Sequence, residues 1–212
     1  MDLGISSVSE TLTEMGDLAQ RSLQIGLDSY FQNNGSRIKV FEFSEKLRSL
    51  KDEVGDVATE IVARYQPVAK DLRFIRASME IAYIFWRSGR YSYDIVNTIV
   101  ELPVGPDCDK TAVMEMSSLV LKAVELSLSS LRTRDESIAE RLYELDSTVE
   151  ILYRKYLRNT IDSDNQYNWK VRSRCDILNI LILRYLERIS DHACYLGDCV
   201  SYLVTGLSSP RR

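Results

Sequence analysis

The sequence predicts an all-α protein of six helices arranged as two tandem three-helix bundles. Three features point there. Apolar residues recur at spacings of three and four over long stretches, the a/d stripe of helices packed in a bundle. Five breaks carry the Gly, Pro, Asn and Asp of turns and helix caps, and nine glycines and four prolines are few for 212 residues. Finally, the second half repeats the first at an offset of 101 residues, or 102 between the second helix of each half.

Taken in order, the breaks at 33–36 (NNGS), 66–67 (QP), 102–107 (LPVGPD), 133–135 (TRD) and 162–166 (DSDNQ) leave helices at about 7–32, 37–65, 68–102, 110–132, 136–160 and 168–205. The first and fourth align residue by residue: Met15, Leu18, Arg21, Leu23, Ile25 and Leu27 match Met116, Leu119, Lys122, Val124, Leu126 and Leu128. The second carries Val40, Phe43, Leu47, Leu50 and Val54, and the fifth answers with Leu142, Leu145, Val149 and Leu152. The third and sixth align through Ile81, Phe85, Arg87, Ile95, Ile99 and Leu102 against Ile182, Leu186, Arg188, Leu196, Val200 and Leu203. A repeat of this length is too long for a solenoid unit. It divides the chain into bundles at 1–102 and 103–212, joined at Pro103–Pro106, with short connections making sequential helices antiparallel.

A chain with 45% hydrophobic and 27% charged residues has the balance of a soluble globular protein. The net charge of −4 argues against nucleic acid as its partner. The opening MDLGISSVSE has neither the basic region nor the apolar core of a signal peptide, and the most apolar run, at 177–183, is too short to span a bilayer. Cys108, Cys175, Cys194 and Cys199 form no CxxC pair and are expected to be reduced, packed thiols of a cytoplasmic protein.

The chemistry-bearing residues are carboxylates. In LERISDH (186–192) Glu187 and Asp191 stand one helical turn apart, and Asp146 and Glu150 form a second i,i+4 pair on the fifth helix. Glu187 and Asp191 lie about 160° from the apolar stripe at 100° per residue, so both are expected to face outward. Two such pairs on neighbouring helices offer four oxygen ligands, which suit Mg, Mn, Ca or oxo-bridged iron better than zinc. An ordinary solvated face has the same spacing. His192 points away from the pair and is expected at the bundle edge rather than as a ligand. A ferritin-like di-iron site needs Glu-x-x-His pairs, which one histidine cannot supply. Nucleophile and phosphate-loop motifs are missing from the sequence, so no enzyme is expected.

The closing helix RYLERISDHACYLGDCVSYLVTG (184–206) resembles that of the PhoU family, typically KYLERIGDHATNIAEEVIYLVTG. TEMGDLAQRSL (13–23) is similar to the family's opening helix, ARYQPVAKDLR (63–73) to its Q-P turn, and RSGRYSYDIVN (87–97) to a worn copy of RIGDYAVNIAE. The resemblance implies paired three-helix bundles and a non-enzymatic cytoplasmic regulator of phosphate uptake and signalling. It implies as partners the ATPase of a phosphate ABC transporter, a sensor histidine kinase, or both, with the membrane reached only through them. A homodimer is also expected, because amphipathic bundles often pair through symmetric faces. Family members carry metal ions or clusters (iron, or Zn, Ni, Mn or Mg) on E(D)-x-x-x-D motifs. Glu187/Asp191 match that motif, and Asp146/Glu150 its counterpart on the neighbouring helix.

The first half departs from this pattern. Trp86 and Arg90 replace the Glu187/Asp191 pair, and Ser44 and Arg48 replace Asp146/Glu150. Arginine repels a cation, so a cation site is expected on the second bundle alone. Asp52 and Asp56 lie in another register and are expected to be simply solvated. PhoU-like domains also regulate potassium channels, which leaves another transporter as the alternative. A metal-storage protein or metalloenzyme is the third reading, and the lack of histidine weighs against it.

Overall fold

The computed structural model describes residues 1–32, 36–162 and 169–207, which form α1 (Asp2–Gln32), α2 (Arg37–Tyr65), α3 (Ala69–Glu101), α4 (Thr111–Thr133), α5 (Ile138–Asp162) and α6 (Trp169–Thr205). No strand occurs among the described residues. The expected breaks at 33–36 and 162–166 lie mostly outside them. α1 begins five residues earlier than its stripe suggests. Its first turn closes through Gly4 and Ile5 N–H bonds to the Met1 carbonyl, and Ile5 packs against Ala58, Ile61 and Ile75.

Local chemistry sets the helix ends. Ser36 caps α2 by accepting a bond from the Lys39 N–H at 3.3 Å. That helix ends where Gln66 turns left-handed (φ 46°) and donates its N–H to the Val62 carbonyl, with Pro67 unable to continue the ladder. Asp109 accepts from both the N–H and the hydroxyl of Thr111, which orders the entry to α4 and holds the Asp109 carboxyl below its usual pKa. Asp135 likewise accepts from the N–H and the hydroxyl of Ser137 ahead of α5.

The apolar stripes are buried as their spacing requires: Val40, Leu47 and Val54 on α2, Leu142 and Val149 on α5, and Ile182, Leu186, Ile189, Ala193, Leu196 and Val200 on α6. α3 and α6, the long third helices of the two repeats, lie against each other along their length. Across that seam the repeats exchange side chains. Leu27 and Ile95 of the first repeat join the core around Met116, Ile182 and Leu186. Their counterparts at the 101-residue offset, Leu128 and Leu196, join the core around Met15, Leu47 and Ile81.

Close helix crossings rely on glycine. A Cβ built on Gly89 would sit 2.3 Å from Leu47 Cδ1, so only glycine lets α2 approach α3 as closely as it does.

One cysteine expectation is overturned. Cys108, in the segment between α3 and α4, is disulfide-bonded to Cys175 on α6, with Cα atoms 5.4 Å apart. Folding the inter-repeat segment back over the start of α6 brings together two residues 67 apart in the chain, a proximity no local motif encodes. Cys194 and Cys199 are buried, as packed thiols should be.

Candidate functional site

The four carboxylates singled out in the sequence do come together, on the face where α5 runs beside α6. Each of the pairs lies on a helix whose neighbouring stripe residues, Val149 on α5 and Leu186 and Ile189 on α6, fix its rotation by being buried. The expectation that both α6 acids face outward holds for Asp191, whose side chain is 45% exposed, and fails for Glu187, which is only 13% exposed. The physical reason is that α6 packs against three helices, α3, α4 and α5, which leaves only a narrow strip open to water. The turn containing Asp191 reaches that strip and the one containing Glu187 does not.

Burial and mutual repulsion raise the acids together. Burial pushes the Asp191 carboxyl up to about 6, helped by the Glu187 and Asp146 charges and opposed by Arg188 and Arg184. Glu187 is raised first by burial, while Arg184 and Arg188 pull it back and Asp146 and Glu150 push it up. Asp146 is raised by burial and by Glu150, and the adjacent Ser190 hydroxyl draws it partly down.

Arginines hold the cluster in its present form. Arg184 Nη1 lies 2.7 Å from Glu187 Oε1 and Arg188 bridges towards Asp191 at 3.8 Å, while Arg154 pairs with Glu150. Arg184 was not among the residues singled out in the sequence, yet its i,i+3 spacing to Glu187 is legible there. Two buried polar atoms make no hydrogen bond: Glu187 Oε2, which has Arg188 Nε 4.0 Å away, and Ser190 Oγ, which lies near the Asp146 carboxyl without closing a bond to it. Ser190 stands where the resemblance has glycine, so its hydroxyl is an addition to this cluster. The donor set is all oxygen and suits a hard cation by chemistry. Among the described residues, however, no three acidic, histidine or cysteine side chains converge closely enough to hold an ion as they now stand.

The corresponding face of the first repeat is built differently. Ser44 is buried, Arg48 pairs with Glu45 at 2.7 Å, and Arg90 pairs with Asp94 at 3.1 Å while lying over the Tyr93 ring. Lys51 sits over Trp86, and Arg87 lies over Trp86 and Tyr91. Asp52 and Asp56 are exposed, as expected. Between the two faces His192 stacks on Tyr91 at 5.8 Å and meets the edge of Tyr83. Burial, with Arg87 and Arg188 nearby, lowers its pKa to about 4, so it is neutral at pH 7. His192 is thus packed between the two repeats rather than on an open surface or bundle edge, because the Tyr83 and Tyr91 rings of α3 cover it.

The PhoU domain family model matches twice, over residues 12–99 and 113–200. The chain belongs to the PhoU family. The two matches follow the repeat that gives this PhoU fold its symmetry. Relatives extend over nearly the whole chain: a "phosphate-specific transport system accessory protein PhoU homolog" of Synechocystis is 26% identical over 95% of this chain and 90% of its own length. One from Zymomonas mobilis is 27% identical over 100% and 89%. The crystal structure of PhoU from Pseudomonas aeruginosa superposes with a TM-score of 0.88, at 25% identity, covering 97% of this chain and 99% of the other. Among the described residues no helix is long and apolar enough to cross a membrane.

Proposed function

We propose that this PhoU-family chain is a non-enzymatic, cytoplasmic accessory protein of a phosphate transport system. It would bind the transporter ATPase, a sensor histidine kinase, or both, and so restrain uptake and phosphate signalling. The observation that supports this best is that both repeats, along nearly their full length, match proteins named as phosphate-transport accessory proteins. Affinity capture of the tagged chain from phosphate-replete cells, paired with phosphate uptake in a deletion strain, tests it. Recovery of a phosphate-transporter ATPase or kinase, with faster uptake on deletion, is expected. Recovery of a potassium-channel subunit with unchanged phosphate uptake would replace this reading with its alternative. Light scattering at micromolar concentration tests the accompanying proposal of a homodimer, and a monomer mass would remove it.

A second reading concerns the carboxylate cluster, and the buried Glu187 Oε2, which takes no hydrogen bond and meets Arg188 only at 4.0 Å, favours it. Glu187, Asp191, Asp146 and Glu150 would bind a hard di- or trivalent cation once the guanidinium groups of Arg184, Arg188 and Arg154 swing aside. The ion would take over the charge compensation those arginines now provide. Metal analysis of protein purified without chelator, with thermal melts in Mn, Fe, Ni, Zn and Mg, is the test. Alanine at Glu187 and Asp191 should abolish a metal-dependent shift, whereas changing Arg48 and Arg90 should preserve it. Metal-free protein whose melting no ion alters would leave the cluster as an ion-paired surface.

A further inference from the structure

We propose that the Cys108–Cys175 bond is a reversible redox latch, opened by a dithiol reductant, that fixes the inter-repeat segment to α1 and α6. In the cytoplasm, where the proposed function puts this chain, disulfides are uncommon and those present are usually redox-sensing rather than structural.

The surroundings fit a bond made to be opened. Cys108 is half-buried in the segment that follows α3, and Cys175 is buried on α6, so a reductant can approach Cys108 and not Cys175. A cleft of about 1250 Å³ opens beside both and gives a reductant its approach; its charged walls are mixed, with Lys155 and Arg174 alongside Asp107, Glu115 and Asp176. Asn179, one turn beyond Cys175 and fully buried, donates its amide N–H to Cys175 Sγ at 3.6 Å. The two hydrogens of that amide are shared among Cys175 Sγ, the Asp109 carbonyl at 2.7 Å and the Tyr156 hydroxyl at 3.0 Å, and the amide oxygen accepts from Tyr30. Lys110 Nζ completes the junction by bonding the Tyr30 carbonyl at 2.6 Å. Residues 108–110 are therefore tied down three times: by the disulfide, by Asn179 to Asp109, and by Lys110 to Tyr30.

The step balances as an ordinary thiol–disulfide exchange. A thiolate of the dithiol attacks Cys108 Sγ, the protein S–S bond breaks, and its electron pair leaves on Cys175 as a thiolate. The Asn179 amide, 3.6 Å from Cys175 Sγ, is the donor beside that charge. The second thiol of the reductant then attacks the mixed disulfide, forming the reductant's own disulfide and releasing the Cys108 thiolate. The two protons given up by the dithiol end on the two protein thiols. Two electrons are transferred, and one of the three ties on the segment is gone.

The test uses the full chain, purified without reductant. Folded protein is equilibrated against a graded reduced/oxidised dithiothreitol couple and quenched by alkylation. Cys108 and Cys175 are then read by mass spectrometry, and amide exchange is followed over 103–110 and 175–179. Expected is a two-electron transition in which both cysteines become alkylated together while helical circular dichroism is retained. Exchange in those two stretches should quicken at least tenfold, and Cys108→Ser should show the fast exchange without reductant. A bond that is absent even after mild oxidation, that opens only when the chain unfolds, or that opens with unchanged exchange would overturn the latch. None of those readings depends on where the protein resides, so the latch and the proposed function fail separately.

Discussion

Replacing Asp191 by Asn should stabilise the protein at neutral pH and do nothing in acid. The folded-state pKa of this carboxyl is raised from 3.8 to about 6, so between those values the native state holds a proton that the unfolded state has already released. Stability then falls as pH rises through this window, and the penalty is complete above pH 6. Taken whole, a rise of that size corresponds to roughly 3 kcal/mol. The side chain is 45% exposed, however, and solvent screening brings the expected penalty to about 1 kcal/mol. The contact with Arg188 that the substitution removes is a 3.8 Å surface pair of small worth. His192, lowered to about 4, has the opposite dependence, losing stability as pH falls from 6.5 towards 4. It is present in both proteins and cancels in their difference. Urea unfolding in chelator at pH 4, 5, 6 and 7 is the assay, with equal m-values as the condition for comparing midpoints. The Asn variant should gain about 1 kcal/mol at pH 7 and none at pH 4. A variant less stable than wild type at pH 7, or a difference that ignores pH, would mean that the arginines outweigh burial and repulsion at this cluster.

Three other expectations come from the core. Gly89→Ala gains helix propensity but forces a methyl against Leu47, and should cost about 1–2 kcal/mol net; in a Leu47→Ala background that loss should vanish. Tyr30→Phe leaves the Asn179 side-chain oxygen buried without its donor and should destabilise by about 1–3 kcal/mol, which a shift of the urea midpoint would report. His192 should titrate near pH 4 by NMR of its ring protons, and a midpoint at 6.5 or above would refute the stacked, desolvated placement between Tyr83 and Tyr91.

The helices were legible because their stripes are long: six positions on α6, from Ile182 to Val200, are buried where a 3.6-residue period puts them. The pairing of carboxylates on α5 and α6 was legible for the same reason, since i,i+4 spacing fixes which acids share a face. The depth of Glu187 was not, because a stripe describes how one helix meets one partner and α6 packs against three. The cystine was illegible too. Its halves are 67 residues apart, and only the path of the inter-repeat segment over α6 joins them. Arg184 could have been found from its spacing to Glu187, whereas the role of Ser190 needed the packing of α5 against α6 to show that its hydroxyl is buried beside Asp146.

The reciprocal placement of Leu27 and Ile95 in one core and Leu128 and Leu196 in the other has a consequence for how the duplicated halves can change. Each half completes its interior with side chains borrowed from its twin, so a chain cut at the connecting segment would leave both fragments with holes and bare apolar flanks. Heating or urea should therefore melt the molecule in one transition rather than two. The same dependence ties mutation at these four interior sites to both halves at once. Away from the shared interior the constraint is lighter, and there the twins have already parted: one carries Trp86 and Arg90 where the other carries Glu187 and Asp191. Novelty in this architecture has room to accumulate on the outside, while the handshake within keeps the twins together.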